Sequence, residues 1–159
     1  ELAETKSLPR VASIQNAYNL VNRGFEIGLS EVAMHEQVGL LAYSPLAQGT
    51  LTGKYLGGQM PQGSRLALFG DGPLMMRYKG DKTQQAIEMY VNLAKKYEID
   101  PAQLAIQFCN IQPFVTSTII GATTMEQLKT CIDSVDLDIT KEIMNEIRSI
   151  HKEIPNPAP

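Results

Sequence analysis

The sequence has few of the residues that stabilise secreted proteins or let a chain cross a membrane. Its 159 residues include two cysteines, Cys109 and Cys131. Two are too few for a disulfide framework and favour a reduced, cytoplasmic setting. No apolar run approaches the ~20 residues that a membrane-spanning helix needs. With 14 basic and 17 acidic residues the net charge is −3, so we expect neither nucleic acid nor a membrane as a partner.

The residues that are present are typical of a globular α/β protein. Hydrophobic residues make up 43% of the chain and charged residues 19%, which suffices for one domain with a core. Short aliphatic or β-branched runs predict strands over 11–15, 40–43 and 115–120. A helix predicted over 25–37 separates the first two strands, and this order predicts that they pair in parallel.

Further helices follow from apolar spacing and from capping residues. They are predicted over 1–7, from Asp81 or Thr83 to about Tyr97, over 101–112 with Asp100 as cap, over 125–134 with Thr124 as cap, and over 140–153. Gly39 is predicted to end the helix over 25–37. Residues predicted to face inward are Phe25, Leu29, Val32 and Ala33 in that helix, and Met125, Leu128 and Ile132 in the helix over 125–134.

The stretch over 39–55, GLLAYSPLAQGTLTGKY, organises the rest of the chain. An apolar strand ends at a Ser-Pro pair, and two glycines and Lys54 follow. A strand that runs into a small-residue loop beside a cation suits a phosphate-bearing ligand. The spacing is not that of a P-loop, because Gly49 to Gly53 is one residue short and Tyr55 follows the lysine. The alternative is an ordinary buried strand and turn.

The segment over 56–80 has no visible helical or strand period. It carries glycines at 57, 58, 63, 70 and 72, two arginines and two prolines. Loops of this length without secondary structure are usually functional or mobile. We therefore predict a long loop that is either a lid or a disordered insertion.

Three stretches, in this order and spacing, resemble the aldo-keto reductases: SIQNAYNLVNR (13–23), AYSPLAQGTLTGKY (42–55) and STIIGATTMEQL (117–128). The resemblance is closest to the long-chain bacterial type and is shared with the potassium-channel beta subunits. It covers nearly the whole chain and corresponds to the family's C-terminal half. The implied fold is α/β, the part of a (β/α)8 TIM barrel around strands six to eight, with 1–159 as a single partial domain.

A fragment is expected for two reasons. A barrel of this type needs about 250 residues, and the chain opens without an initiator methionine in what resembles the end of a helix. The interpretation is therefore a fragment, a cleavage product or a half-barrel. Such a half is expected to need an N-terminal half-barrel or to self-associate.

The resemblance implies NADP(H) as cofactor and assigns residues to its parts. Gln15 would hold the nicotinamide carboxamide, and Tyr43 would stack on the nicotinamide ring. The pyrophosphate would meet Ser44, Pro45, Leu46, Ala47, Gln48 and Gly49, with Lys54 and Arg65 reaching the phosphates. Gly121, Thr123 and Gln127 would meet the 2′-phosphate. Cys131 stands where the family has an asparagine that contacts adenine, and a cysteine hydrogen-bonds only weakly.

Without the resemblance the same residues have ordinary interpretations. Gln15 is then a core-edge residue, Tyr43 a core tyrosine, and Lys54 and Arg65 solvated surface charges. Gln127 is the third helical residue after Thr124, so it then closes a capping box.

No catalytic residue is assigned in this chain. The family's hydride transfer needs a tyrosine acid with an aspartate, a lysine and a histidine, and all four belong to the half that this sequence does not match. His35 and His151 are predicted to be surface residues, and no metal-ligand cluster is present in the sequence. The function expected is the NADP(H)-binding half of an enzyme that reduces aldehydes or ketones, inactive as the 159-residue chain alone. The alternatives are a nucleotide-sensing regulatory subunit and a truncated, inactive fragment.

Overall fold

A computed structural model describes residues 2–70 and 72–159. Within them three parallel strands form one sheet in the order β1 (Ser13–Ala17), β2 (Gly39–Tyr43) and β3 (Val115–Thr118). Because both pairs are parallel, all three carboxyl ends lie at the same edge. The predicted α/β fold with parallel strands is confirmed. β1 begins two residues later than predicted, and β3 ends two residues earlier.

The helices alternate with these strands. They are α1 (Leu2–Thr5), α2 (Leu29–His35), α3 (Arg65–Phe69), α4 (Pro73–Met76), α5 (Asp81–Lys96), α6 (Pro101–Asn110), α7 (Met125–Asp133) and α8 (Lys141–Glu153). Short turns cover Gly24–Glu26, Ala47–Thr52, Leu56–Gly58 and Ser134–Asp136. Within them Gln48, Gly49 and Gly57 have non-helical backbone. None of the helices described is long and apolar enough to cross a membrane.

The caps predicted for α6 and α7 are confirmed. The Asp100 carboxylate accepts from the backbone N–H groups of Ala102 and Gln103, and the Thr124 hydroxyl accepts from Gln127 N–H. The cap of α5 is different, since Gly80 takes that position. Asp81 lies inside the helix, and so does Thr83, whose hydroxyl donates to the Pro157 carbonyl at 2.8 Å.

The helix predicted over 25–37 is split in two. Gly28, at φ 86°, separates the turn Gly24–Glu26 from α2. Gly39 does not end α2, because Gln37 takes the left-handed conformation there, at φ 56°. Gly39 instead opens β2, where a Cβ would lie 1.6 Å from Thr116 Oγ1. That contact is impossible, so the close approach of β2 and β3 requires glycine.

The segment over 56–80 is not a loop without structure. A 3-10 turn, α3 and α4 occupy much of it, and Ser64 caps α3 by accepting from Ala67 N–H. Asp71 of the predicted loop and Glu1 of the predicted first helix lie outside the described residues. α3 and α4 are too short to produce a visible helical period in the sequence, so the sequence did not predict them.

The core lies between one face of the sheet and the helices α5, α6 and α8. Leu40 and Ala42 of β2 are fully buried on that face. They join a cluster with buried side chains from all three helices, among them Ile87, Leu104 and Ile147. The apolar spacing that predicts these three helices therefore identifies faces that are buried in the core.

Two helices expose apolar residues that were predicted to face inward. Leu29 and Val32 of α2 are exposed, and so are Ile132 and Met125 of α7, the last to 77%. α7 contacts α6 and the turn Ser134–Asp136, so it buries Cys131 instead, at 5% exposure. The prediction was wrong here because helical spacing identifies an apolar face but not which elements cover it.

The C-terminal segment after α8 is not helical, and it packs against residues 21–23, which follow β1. Ala158 N–H donates to the Val21 carbonyl at 3.2 Å. Asn156 Oδ1 accepts from Arg23 N–H at 2.7 Å. This segment therefore closes the region that follows β1.

Candidate functional site

The open face of the sheet carries the first candidate residues. Gln15 pairs with Leu41 across β1 and β2, and Leu41 pairs with Ser117 on β3. These three residues form one row across the sheet, opposite to the buried face. Gln15 is exposed, but it lies in the middle of β1 and not at its end as predicted. Its carboxamide can both donate and accept, which suits a ligand amide over this face.

Tyr43 is the last residue of β2, at the carboxyl edge of the sheet. It pairs with Ala17 of β1 and is 39% exposed. It is therefore not the buried core tyrosine of the ordinary interpretation. Its ring is available at the sheet edge to a flat partner.

A tight loop over 44–49 follows Tyr43 directly. Four of its residues have left-handed backbone: Ser44 at φ 55°, Ala47 at 49°, Gln48 at 60° and Gly49 at 90°. Such backbone is uncommon for residues other than glycine, and clusters of it occur at ligand sites. Ala47 is fully buried and fixes the loop to the core. We call residues 44–49 the phosphate loop, after the ligand that the family resemblance implies for them.

Two residues that sequence reasoning did not single out support the phosphate loop. Asn19 is fully buried, and its amide Nδ2 donates to the Ser44 carbonyl at 3.0 Å. Tyr55 is buried, and its hydroxyl accepts from Leu66 N–H at 3.4 Å. The sequence carries no signal for either hydrogen bond, because each joins residues that only the folded chain brings together.

Two cations flank the phosphate loop. Lys54 Nζ lies over the Tyr55 ring, 5.1 Å from its centroid, and only 3.1 Å from where a Gly49 Cβ would lie. The Arg65 guanidinium donates to Gln48 Oε1. Neither side chain forms an ion pair with a carboxylate in the described parts of the chain. Two cations without a counter-charge beside strained backbone are suited to an anion.

The turn between β3 and α7 carries the remaining candidates. Gln127 Oε1 accepts from Thr123 N–H at 3.0 Å and from the Thr123 hydroxyl at 3.1 Å. Gln127 therefore reaches back to Thr123, the residue before the N-cap, and not to Thr124 itself as the predicted capping box requires. Since its oxygen is used, the Nε2 donors remain for a ligand. Gly121 and Thr123 are exposed beside the free N–H groups of the α7 terminus, which favour negative charge.

Cys131, the last of the candidate residues, is buried and is therefore not available at this surface. At 5% exposure, burial raises the pKa of its thiol, and the nearby Asp100 raises it further. A buried, neutral thiol offers a ligand little. Both cysteines are free, as predicted.

The two histidines lie in different surroundings. His35 is a surface residue, as predicted, but His151 is half-buried against the Arg23 and Glu26 pair. Burial and the charge of Arg23 lower the pKa of His151. In residues 2–70 and 72–159 no three His, Cys, Asp or Glu side chains are arranged to hold a metal ion.

A largely buried ion pair, with the Arg23 and Glu26 side chains 11% and 28% exposed, fixes the segment that follows β1. Arg23 Nε and Nη2 donate to the two oxygens of the Glu26 carboxylate at 2.7 and 2.8 Å. The Tyr18 hydroxyl donates to the same carboxylate at 2.6 Å. Burial alone would raise the pKa of Glu26, but the hydrogen bonds from Arg23 and Tyr18 lower it. This segment holds Asn19, and through it the phosphate loop, in position.

Sequence comparison identifies the family to which this chain belongs. The sequence model of the aldo/keto reductase family matches residues 1–152. The chain belongs to the aldo/keto reductase family, and the family resemblance seen in the sequence is confirmed.

Relatives and a solved structure agree with this family. "Protein tas" of Escherichia coli is 50% identical over 99% of this chain and 45% of its own length. An aldo-keto reductase of Babesia bovis is 37% identical over 95% of this chain and 55% of its length. A probable voltage-gated potassium channel subunit beta of Oryza sativa is 36% identical over 71% of this chain and 35% of its length. The structure of a glycerol dehydrogenase from Gluconobacter oxydans superposes with a TM-score of 0.73 at 22% identity, over 95% of this chain and 45% of that one. The chain spans about half the length of the curated relatives that it matches.

Proposed function

We propose that this chain supplies the NADP(H)-binding part of an aldo-keto reductase, whose complete form reduces small aldehydes or ketones to alcohols. The observation that supports this best is the phosphate loop, directly beside Tyr43 at the carboxyl edge of the sheet and flanked by Lys54 and Arg65, which pair with no carboxylate among residues 2–70 and 72–159. When bound, the nicotinamide cofactor supplies the hydride chemistry. The residues of this chain bind and orient it.

Each part of the proposed site has a separate role. Gln15 would hold the nicotinamide carboxamide, and Tyr43 would cover one face of the ring, so that hydride leaves from the other face. The phosphate loop, Lys54 and Arg65 would hold the pyrophosphate by backbone N–H groups and charge. The Gln127 Nε2 donors would meet a 2′-phosphate, which supports NADPH over NADH.

The place of the chain in a complete enzyme is part of the proposal. We assign its three strands to strands six to eight of a (β/α)8 barrel, with residues 1–159 as one partial domain. An N-terminal half-barrel or self-association would complete the sheet, and a small carbonyl compound would be the substrate. We place the protein in the cytoplasm and assign no catalytic acid to this chain.

Cofactor binding by the purified chain tests the proposal. Titration of NADPH, followed by its fluorescence, should give saturable binding. The variant Lys54→Met/Arg65→Met should bind at least tenfold more weakly, because each charge-assisted bond contributes about 1.5–3 kcal/mol. The matched control is Lys95→Met/Lys96→Met, which removes two positive charges at the far end of α5. Equal binding by the two double variants, or no saturable binding by the wild type, would contradict the proposal.

A further inference from the structure

The Gln48 side chain links two separate parts of the proposed site. Its Nε2 donates to Ser44 Oγ at 3.1 Å, at the start of the phosphate loop. Its Oε1 accepts from the guanidinium of Arg65, 17 residues later. One carboxamide therefore joins the phosphate loop to α3, an element of the segment over 56–80.

The backbone fixes the direction of this side chain. Gln48 has φ 60° and ψ 21°, with Gly49 at φ 90° after it and the fully buried Ala47 at φ 49° before it. Left-handed backbone at two successive residues other than glycine persists only where the surroundings hold it. Gln48 is therefore a rigid point of attachment, whereas the Arg65 side chain is long and exposed.

Gln48 is also a neutral acceptor. In the described residues Arg65 has no carboxylate within ion-pair distance. A carboxylate at position 48 would hold the guanidinium as well, but it would cancel the charge that an anion needs. A carboxamide holds the guanidinium in place and leaves that charge uncompensated.

We infer that Gln48 is a positioning residue that holds Arg65 over the phosphate loop, ready for the pyrophosphate of a dinucleotide. The inference rests on the proposed function, since it assigns Arg65 to that ligand. It predicts that the Gln48 side chain contributes to binding through Arg65 and not through contacts of its own with the ligand. It also predicts that a negative charge at position 48 weakens dinucleotide binding more than loss of the side-chain amide does.

A cleavage assay tests the attachment without any cofactor. Trypsin cleaves after arginine, and the bond between Arg65 and Leu66 lies in α3, so its cleavage requires this helix to open locally. Gln48→Met should therefore be cleaved there faster than the wild type. Gln62→Met is the matched control, since Gln62 is exposed in the same segment and forms no side-chain hydrogen bond with the described residues. Its cleavage rate should equal that of the wild type. An unchanged rate in Gln48→Met would overturn the inference.

A binding cycle tests the role. We expect Gln48→Met and Arg65→Met each to weaken NADPH binding about tenfold, the loss expected for one charge-assisted bond. The double variant should be no weaker than Arg65→Met alone. Gln48→Glu should bind more weakly than Gln48→Met, whereas Gln62→Glu should bind like the wild type. Additive losses in the double variant would overturn the inference while leaving the proposed function intact. A wild type that binds neither NADPH nor NADH would overturn the proposed function and the binding role of Gln48 together, whatever the cleavage rates.

Discussion

The turn between β3 and α7 allows one substitution that changes cofactor preference without disturbing the fold. In Gln127→Glu the new carboxylate can still accept from Thr123 N–H and from the Thr123 hydroxyl, now 3.0 and 3.1 Å from Gln127 Oε1. The Thr124 cap uses the backbone of residue 127 and is not changed. The substitution changes the Nε2 position, where the amide donor is replaced by a carboxylate oxygen that carries negative charge.

The expected magnitude follows from the lost hydrogen bond. A bond from Nε2 to a 2′-phosphate is charge-assisted and contributes about 1.5–3 kcal/mol. That energy corresponds to roughly 10- to 150-fold in the dissociation constant. NADH lacks the 2′-phosphate, so its binding should be unchanged. The preference for NADPH over NADH should therefore fall by at least about tenfold.

Fluorescence titration with both cofactors measures this ratio for the wild type, for Gln127→Glu and for Gln59→Glu. The last variant adds the same charge at an exposed position of the segment over 56–80, and its ratio should equal that of the wild type. Thermal unfolding of Gln127→Glu checks that the cap survives. Equal weakening of NADPH and NADH, or no change in either, would refute the assignment of Gln127 to the 2′-phosphate.

Four further outcomes are expected. Glu26→Ala should lower the free energy of unfolding in urea by about 3–5 kcal/mol, because it leaves the Arg23 charge buried and unpaired, with the side chain 11% exposed. The control is Glu36→Ala, which breaks the exposed pair with Arg10 and should lower the free energy of unfolding by no more than about 1 kcal/mol. Similar losses in the two variants would show that burial does not strengthen the pair of Arg23 and Glu26. The pKa of His151 is lowered in the folded chain, so the unfolded chain binds the proton first, and the free energy of unfolding should fall as the pH drops below about 6.5. His151→Leu should reduce this pH dependence. An unchanged pH profile in that variant would show that His151 is not its source. A chain of these 159 residues should not turn over 4-nitrobenzaldehyde with NADPH, and activity that survives repurification would show otherwise. Finally, sedimentation velocity should show self-association through the open sheet edges, whereas a compact monomer that unfolds cooperatively would show that the sheet needs no partner.

The parts of the fold that were predictable depend on local sequence. The parallel pairing of β1 and β2 followed from a strand, a helix and a strand within a short stretch. The caps at Asp100 and Thr124 needed only the three or four residues beside them. The candidate loops were found because their motifs are continuous in the sequence.

The parts that were not predictable depend on contacts between distant residues. Ala47 and Gln48 adopt left-handed backbone without being glycine, so no residue type signalled the shape of the phosphate loop. Leu29 and Met125 have the spacing of buried residues but are exposed, because the side that a helix buries depends on its neighbours. The contact between Gln48 and Arg65 also joins two segments that show no pattern in common.

The hydrogen bond between Arg23 N–H and Asn156 Oδ1 joins residues 133 positions apart. Its consequence concerns the nascent chain on the ribosome. At about 5–20 residues per second, translation needs roughly 7–27 s to travel from one partner to the other. During that interval Arg23 and Glu26 can pair, but the segment that closes over them does not yet exist. The region after β1 therefore cannot close until residues 156–158 have been synthesised, and until then its apolar neighbours stay exposed.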